Sequence, residues 1–200
     1  MVETPTRWGP CPVGHICPLG SAYPEKCPIG TYNALAKKTL STHCLPCDRG
    51  YYGETTGLSV STCTGKCSAG FYCSYDSEAV GAVVHSPIDG ILGNRCAVGN
   101  YCIEGAYEEE PCAAGTYNPN IGAKECLACP VGFYCDEGVT EPTICGMGHY
   151  CELGTSGTAY TDPSDFSTGS PGTPCDIGKY QPEEGHWYCL KCLPGYYCAA

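Results

Sequence analysis

The stretch that decides the fold opens with CAVGNYC over residues 96–102 and continues with CAAGTYNPNIGAKECLACPVGFYC over residues 112–135. Both segments begin with Cys-x2-Gly-x-Tyr, here called the box, with cysteine at position 1, glycine at position 4 and tyrosine at position 6. A glycine at a fixed place predicts a tight turn with positive φ, where a Cβ would clash. The tyrosine is expected to lie against the cross-link and to form a local core.

The box recurs along the whole chain. It occurs ten times, with Gly always at position 4 and with Tyr at position 6 in all but the first copy, which has Ile16. Six boxes have a further cysteine at position 7, and three others run into a later Cys-x2-Cys. Such periodicity indicates a tandem array of small modules. The boxes begin at Cys11, Cys27, Cys47, Cys67, Cys96, Cys112, Cys129, Cys145, Cys175 and Cys192.

The segment from Cys96 to Cys135 resembles the ephrin-receptor-like cysteine-rich repeat, a relative of growth-factor-receptor and tumour-necrosis-factor-receptor modules. CPIGTYN from Cys27 and CDIGKYQ from Cys175 repeat it less perfectly. The resemblance implies a small disulfide-rich extracellular module of short β-hairpins and loops with little helix. Such modules are strung in tandem in receptors, adhesion proteins and large surface proteins of protists. The resemblance implies no catalytic residues.

The repeats predict an elongated, rod-like array of four modules. Cysteine-rich repeat 1 spans residues 1–47, and a connecting module spans 48–95 with an aliphatic insertion at 74–95. Repeat 2 spans 96–144, and repeat 3 spans 145–200 with a Ser/Thr/Gly/Pro-rich insertion at 152–174.

The composition agrees with cross-linked modules of this kind. With 20 Cys, 27 Gly and 17 Pro in 200 residues, the aliphatic core must be thin, so cross-links replace burial. The net charge of -11, without a Lys/Arg cluster, argues against nucleic acid and anionic membranes as partners. No apolar run is long enough to span a membrane. We expect an extracellular or cell-surface location, with the targeting segment elsewhere in a longer precursor.

The cysteine spacing suggests a pairing. Cys47 and Cys63 have the same separation as Cys129 and Cys145, and the places that match Cys135 and Cys151 hold Gly53 and Ala69. A bridge missing as a whole explains that difference. The proposed pairs are Cys27–Cys44, Cys47–Cys63, Cys67–Cys96, Cys73–Cys102, Cys112–Cys126, Cys129–Cys145, Cys135–Cys151 and Cys175–Cys189.

Four cysteines are left over in this scheme. Cys11 and Cys17 near one end, and Cys192 and Cys198 near the other, become candidates for linkage to another subunit or to a next repeat. A competing scheme pairs Cys11 with Cys27 and Cys96 with Cys112, and it closes the ends internally. Spacing alone leaves both schemes open.

The two insertions offer candidate surface features. The aliphatic one is predicted to be a local hairpin that covers disulfides, or alternatively a contact surface, through Val83, Val84, Ile88, Ile91 and Leu92. The polar one predicts an exposed loop, as suited to O-glycans as to plain flexibility. The O-glycan candidates are Thr155, Ser156, Thr158, Ser167, Thr168, Ser170 and Thr173.

No cofactor or metal is expected. Carboxylates at Glu108–Glu110, Asp162, Asp165, Glu183 and Glu184 could bind calcium, but without an ordered calcium loop they are better interpreted as solvated charge. The Cys-x2-Cys pairs are too far apart for structural zinc sites. The five His residues are isolated, which does not suggest a catalytic base.

These observations favour a structural extracellular repeat protein that forms part of a surface filament, appendage or coat by associating end to end. The alternative is a ligand-binding or adhesion fragment of a receptor ectodomain. A secreted inhibitor or toxin would ordinarily be shorter. An enzyme is the least expected class.

Overall fold

A computed structural model describes residues 9–74, 95–157 and 172–198. Within these ranges, two-residue strands pair into eight antiparallel two-stranded sheets, and one 3-10 turn is present at Ser41–His43. The expected small disulfide-rich fold with little helix is confirmed. The strands are β1 (His15–Ile16), β2 (Glu25–Lys26), β3 (Thr31–Tyr32), β4 (Leu45–Pro46), β5 (Tyr51–Tyr52), β6 (Gly65–Lys66), β7 (Asn100–Tyr101), β8 (Glu110–Pro111), β9 (Thr116–Tyr117), β10 (Leu127–Ala128), β11 (Phe133–Tyr134), β12 (Thr143–Ile144), β13 (His149–Tyr150), β14 (Thr173–Pro174), β15 (Lys179–Tyr180) and β16 (Leu190–Lys191).

One pairing rule generates every sheet. Positions 5 and 6 of a box form the first strand, and the two residues that precede the next box form the second. In the β7/β8 hairpin, for example, Asn100 lies opposite Pro111 and Tyr101 opposite Glu110. An isolated antiparallel bridge between Phe71 and Arg95 follows the same register. Each interval between successive boxes is therefore one hairpin.

The contacts divide the chain into two compact units. The first contains residues 1–95 together with 103–108, and the second contains residues 96–102 together with 109–200. The division into four modules and the rod-like arrangement stay predictions.

Disulfides, and not aliphatic side chains, form the interior. Buried residues in the described ranges are mainly half-cystines, and Ile16, at position 6 of the first box, is the buried aliphatic side chain among them. The thin aliphatic core expected from composition is thus seen in both units. The buried polar residues are Asn33, Asn118, His149 and Gln181.

All 20 cysteines are paired, in ten bridges. In four of them a box cysteine closes a long loop 14 to 17 residues away. These pairs are also among those proposed from spacing. They are Cys27–Cys44, Cys47–Cys63, Cys112–Cys126 and Cys175–Cys189.

The other six bridges correct the spacing argument, because every box with cysteine at position 7 closes on itself. These bridges are Cys11–Cys17, Cys67–Cys73, Cys96–Cys102, Cys129–Cys135, Cys145–Cys151 and Cys192–Cys198. The structure therefore lacks the expected pairs Cys67–Cys96, Cys73–Cys102, Cys129–Cys145 and Cys135–Cys151, and the competing pairs Cys11–Cys27 and Cys96–Cys112. Cys11, Cys17, Cys192 and Cys198 are joined within their own boxes and not to another subunit.

The reason is the turn at position 4. It returns the chain so that the Cα atoms of positions 1 and 7 are 5.8 to 6.1 Å apart, which lies within the range that a disulfide requires. The Cys47 box shows the same geometry without the second cysteine. A Cβ built on Gly53, at its position 7, would lie 2.9 Å from the Cys47 sulfur. With no thiol there, Cys47 bonds Cys63 instead.

Candidate functional site

The turn inside each box is built from its own main chain. In the Cys96 box, Gly99 has φ of 80° and the N–H of Asn100 donates to the carbonyl oxygen of Ala97 at 3.1 Å. Tyr196 donates to Leu193 in the same way, at 3.0 Å, in the Cys192 box. The positive φ predicted for position 4 is confirmed. A box therefore holds its turn independently of its neighbours.

Successive boxes are joined through main-chain hydrogen bonds. The N–H of a position-4 glycine donates to the carbonyl oxygen of position 7 in the next box, as from Gly115 to Cys135 and from Gly132 to Cys151, both at 2.8 Å. No side-chain atom takes part in these bonds, so they do not depend on which residue fills position 7. The donor and acceptor pairs are Gly14–Asn33, Gly30–Gly53, Gly50–Cys73, Gly99–Asn118, Gly115–Cys135, Gly132–Cys151 and Gly148–Gln181.

The hairpin loops add a second set of contacts. A loop residue with positive φ donates its N–H to the carbonyl oxygen of the cysteine that opens the preceding box. Gly138 donates to Cys112 and Gly154 to Cys129, both at 2.8 Å. Lys37, with φ of 63°, makes the same bond to Cys11, so a non-glycine residue also adopts the required conformation.

The same loops press against glycines two boxes earlier. A Cβ on Gly99 would meet the carbonyl oxygen of Gly138, and a Cβ on Gly115 would meet that of Gly154. Position 4 therefore needs glycine for space as well as for its φ angle. The sequence predicted the φ requirement but not this close approach, because the contacting loop is about 40 residues away. We call the two sets of bonds and this contact the box interlock.

Sequence reasoning missed the role of the amide side chains at position 7. Asn118 is buried, and its Nδ2 donates to the carbonyl oxygens of Asn100 at 2.6 Å and Asn120 at 2.8 Å. Asn33 and Gln181 occupy the corresponding place in two other boxes, and their amides also donate to main-chain carbonyl oxygens. The signal was visible in the sequence, since each of the three compound units has Asn or Gln where the other boxes have cysteine or Gly53.

The acidic stretch 108–110 makes local contacts. Oε2 of Glu109 accepts hydrogen bonds from the N–H of Ala97 at 2.7 Å and from the side-chain amide of Asn100 at 3.4 Å. The hydroxyl of Tyr101 donates to Glu110 at 2.8 Å, and this bond, together with the carboxylate charge, raises the pKa of Tyr101 above its usual value. These contacts explain two of the three glutamates without a cation.

In the described ranges, no group of three or more His, Cys, Asp or Glu side chains is arranged to hold a metal. Glu183 accepts a hydrogen bond from His186 at 3.1 Å, and Lys179 pairs with Asp176 at 2.6 Å, which raises the pKa of that lysine. The other calcium candidates, Asp162 and Asp165, lie outside the described residues.

The O-glycan candidates are only partly described. The Thr155 hydroxyl donates to the carbonyl oxygen of Glu152 at 2.8 Å, Ser156 is half-buried, and Thr173 is exposed in β14. Thr158, Ser167, Thr168 and Ser170 lie outside the described residues, as do Val83, Val84, Ile88, Ile91 and Leu92 of the aliphatic insertion. The part of the chain that the structure describes has no helix able to cross a membrane.

The Cys192 box presents the most exposed aromatic surface. Its position-6 residue, Tyr197, is 91% exposed, whereas the tyrosines at position 6 of the other boxes are partly buried. Tyr196 and Leu193 are exposed beside it. Together with Tyr180 and Cys198 these residues line an open cavity of about 220 Å³. We call this surface the C-terminal face.

Comparison with known proteins agrees with this geometry. Residues 99–138 match the family described as "Tyrosine-protein kinase ephrin type A/B receptor-like". The resemblance to the ephrin-receptor-like repeat is thereby confirmed for that segment, which includes three of the ten boxes in whole or in part.

Three curated relatives are similar over longer stretches. "Putative white-brown complex homolog protein 30" of Arabidopsis thaliana is 32% identical over 117 residues, which are 56% of this chain and 10% of that protein. "Sushi, von Willebrand factor type A, EGF and pentraxin domain-containing protein 1" is 28% identical over 169 residues in both Rattus norvegicus and Mus musculus, covering 83% of this chain and 4% of the relative. The chain thus spans a tenth or less of the length of each relative.

The family match, these relatives and the ten disulfides indicate an extracellular or cell-surface protein with cysteine-rich domains of the ephrin-receptor-like kind. They point to non-enzymatic, receptor-like or adhesion-type domains.

Proposed function

We propose that this chain is a structural extracellular repeat protein that self-associates end to end as part of a surface filament, appendage or coat. The box interlock is the observation that carries the proposal. Its hydrogen bonds run between main-chain atoms of neighbouring boxes, so any further box of the same kind can extend the series. Arrays whose repeats contact only near neighbours can be lengthened without changing the repeat.

The disulfide pattern supports such a role. Six boxes are closed within seven residues, so each of these turns is covalently fixed before it meets its neighbours. A bridge of this kind stabilises by about 2 kcal/mol, mainly by restricting the unfolded chain. A protein that bears load outside the cell gains more from such local fixing than from a large core that unfolds cooperatively.

The test is electron microscopy of the secreted chain in negative stain, combined with reducing and non-reducing gels. We expect long, regular particles in the microscope. Because every cysteine is bonded within the chain, both gels should show a single 21.1 kDa species. A chain that stays monomeric at all concentrations would contradict the proposal. A ladder that collapses on reduction would keep the filament but overturn the internal closure of the end boxes.

A ligand-binding or adhesion fragment of a receptor ectodomain is the second candidate. The family match favours it, as do two exposed aromatic residues, Trp187 and Tyr188, whose rings contact each other at 5.1 Å. Exposed Trp and Tyr are frequent hot spots in protein interfaces. Saturable binding of a monomer to cells, lost in Trp187→Ala and retained in the control Leu153→Ala, would support this function over the filament.

O-glycans are proposed on the polar insertion. Among the described candidates, Thr173 has the most accessible side chain. Mass spectrometry of peptides from material secreted by a glycosylating host tests this. Hexose or N-acetylhexosamine mass increments on the peptide that contains residues 155–173 are expected, and an unmodified peptide would contradict the proposal.

A further inference from the structure

The last box has an unpaired strand edge. In each earlier interval, positions 5 and 6 of a box pair with the two residues before the next box. Tyr196 and Tyr197 hold these positions in the Cys192 box, yet within the described ranges no strand lies beside them. Their turn is already formed, with Gly195 at φ of 86°. An edge with free N–H and C=O groups is a template for pairing with another chain.

The first box has the complementary half of a hairpin. Gly9 and Pro10 directly precede Cys11, they are exposed, and among the described residues they face no paired strand. Proline suits this place, because Pro46 and Pro111 occupy it in formed hairpins. The next cysteine supplies the donor there, as Cys112 does to the carbonyl oxygen of Gly99 at 2.9 Å.

The position-4 glycines mark the same open surface. Interior ones such as Gly132 lie against the carbonyl oxygen of a loop glycine two boxes further on. Around Gly178 and Gly195, by contrast, a Cβ would meet no described atom within 4 Å. Two boxes beyond Gly178 along a continued series comes the loop of a Cys11 box. That loop has its own glycine, Gly20, with φ of 85° and equally open space.

The charges of the two surfaces are opposite. Residues 9–46 contain three lysines against a single glutamate, although the whole chain has a net charge of -11. Residues 172–198 contain three carboxylates against two lysines. Opposite net charges favour encounter of the two ends over encounter of like ends, and salt weakens this preference.

We infer that the C-terminal face binds the N-terminal segment of a second copy, with Tyr196 and Tyr197 pairing to Gly9 and Pro10 as the next hairpin in the series. The contact is non-covalent, since all four end cysteines are bonded internally. It is heterologous, and such contacts produce open filaments when they do not close into a ring. The inference rests on the proposed function and specifies the surfaces through which it operates.

The experiment compares the whole secreted chain with two blocked variants. Gly178→Asn fills the space for the incoming loop, and Gly20→Asn blocks the matching loop at the other end. Asn tolerates the left-handed region, so both variants should fold. Gly154→Asn is the matched control, because Gly154 has nearly the same φ, 80° against 81°, but lies inside the second unit. Sedimentation velocity over a range of protein concentrations gives the size of the associated species.

We expect the unmodified chain and Gly154→Asn to form multiples of 21.1 kDa, with each blocked variant alone associating about tenfold more weakly. A mixture of the two blocked variants should stop at dimers, because it contains one intact C-terminal face and one intact N-terminal segment. High salt should weaken all of these species.

Three results would overturn the inference in different ways. Filaments that form equally well from Gly178→Asn would refute these surfaces and leave the proposed function standing. A monomeric unmodified chain would remove both. A natural-source protein that runs far above 21.1 kDa on a reducing gel would assign the C-terminal face to a further hairpin of the same polypeptide, and not to a second copy.

Discussion

Asn118 donates a hydrogen bond from its side-chain amide to the main-chain carbonyl oxygen of Asn100, at 2.6 Å and across 18 residues of sequence. The bond ties position 7 of one box to position 5 of the box before it. Asn33 ties its box to His15 in the same manner, at 2.8 Å. A buried amide thus stands where other boxes have a disulfide, and it joins two boxes where the disulfide closes one.

Asn118→Asp is expected to lower the free energy of unfolding by about 1–3 kcal/mol. The carboxylate cannot donate, so two carbonyl oxygens lose their partner and a charge becomes buried. Thermal unfolding of the secreted variant measures the effect. Asn120→Asp, at an exposed position nearby, is the control and should behave as the unmodified chain. Equal stability of the two variants would refute the importance of this bond.

Gly99→Ala should destabilise the chain more than Gly148→Ala. Both glycines have nearly the same φ, 80° and 79°, so both substitutions carry the same backbone strain of roughly 1–2 kcal/mol. Only the Cβ at position 99 meets a loop carbonyl, which adds about 1–3 kcal/mol. Chemical denaturation with the disulfides intact separates the two contributions. If the two variants unfold at the same denaturant concentration, the close approach of Gly138 is not part of the folded protein.

Cleavage at acidic residues under non-reducing conditions should release separate peptides around Cys135 and Cys145. Asp136, Glu137 and Glu141 lie between them, and the structure closes Cys129–Cys135 and Cys145–Cys151 on opposite sides of this stretch. Mass spectrometry identifies the products. The double variant Cys129→Ser with Cys135→Ser should expose no free thiol. A product that joins the two peptides would instead support pairing by equal spacing.

Tyr101 should ionise at higher pH than an ordinary tyrosine, whose pKa is 10.0, because its hydroxyl donates to Glu110 and the carboxylate disfavours a second negative charge. The raised pKa means that the folded chain holds this proton more tightly than the unfolded chain. The associated stability is fully present below about pH 10 and is lost as the pH rises through the pKa of the folded state. Tyr101 is exposed, so the effect on stability is small.

Ultraviolet titration of the phenolate, taken as the difference from Tyr101→Phe, isolates this side chain among 16 tyrosines. In Glu110→Gln the pKa should fall back toward its usual value. A Tyr101 signal that does not respond to this change would show that the bond is not formed in solution.

Much of the fold could be predicted from the box alone. Its glycine at position 4 indicated the turn, and residues such as Asn100 and Tyr101 could be assigned to hairpins because positive φ and tight turns are local properties of a few residues. The ephrin-receptor-like resemblance was also contained in a continuous stretch, and it is confirmed at residues 99–138.

The disulfides of the self-closed boxes could not be obtained in this way. Equal spacing compared Cys129–Cys145 with Cys47–Cys63, although Gly53 makes the Cys47 box a different case. The deciding quantity is the distance between positions 1 and 7 once the turn has formed. Likewise, the contact of Gly99 with Gly138 arises only when two hairpins stack, and no local pattern contains it.

The hairpins keep one register although the intervals between boxes differ greatly in length. His149 faces Pro174 across a gap of 25 residues just as His15 faces Lys26 across a gap of 11. Lengthening a loop costs little entropy once its ends are held. The scaffold can therefore serve as a display frame, in which a peptide tag or a labelling sequence grafted between residues 158 and 171 changes what the surface carries without changing how the repeats join.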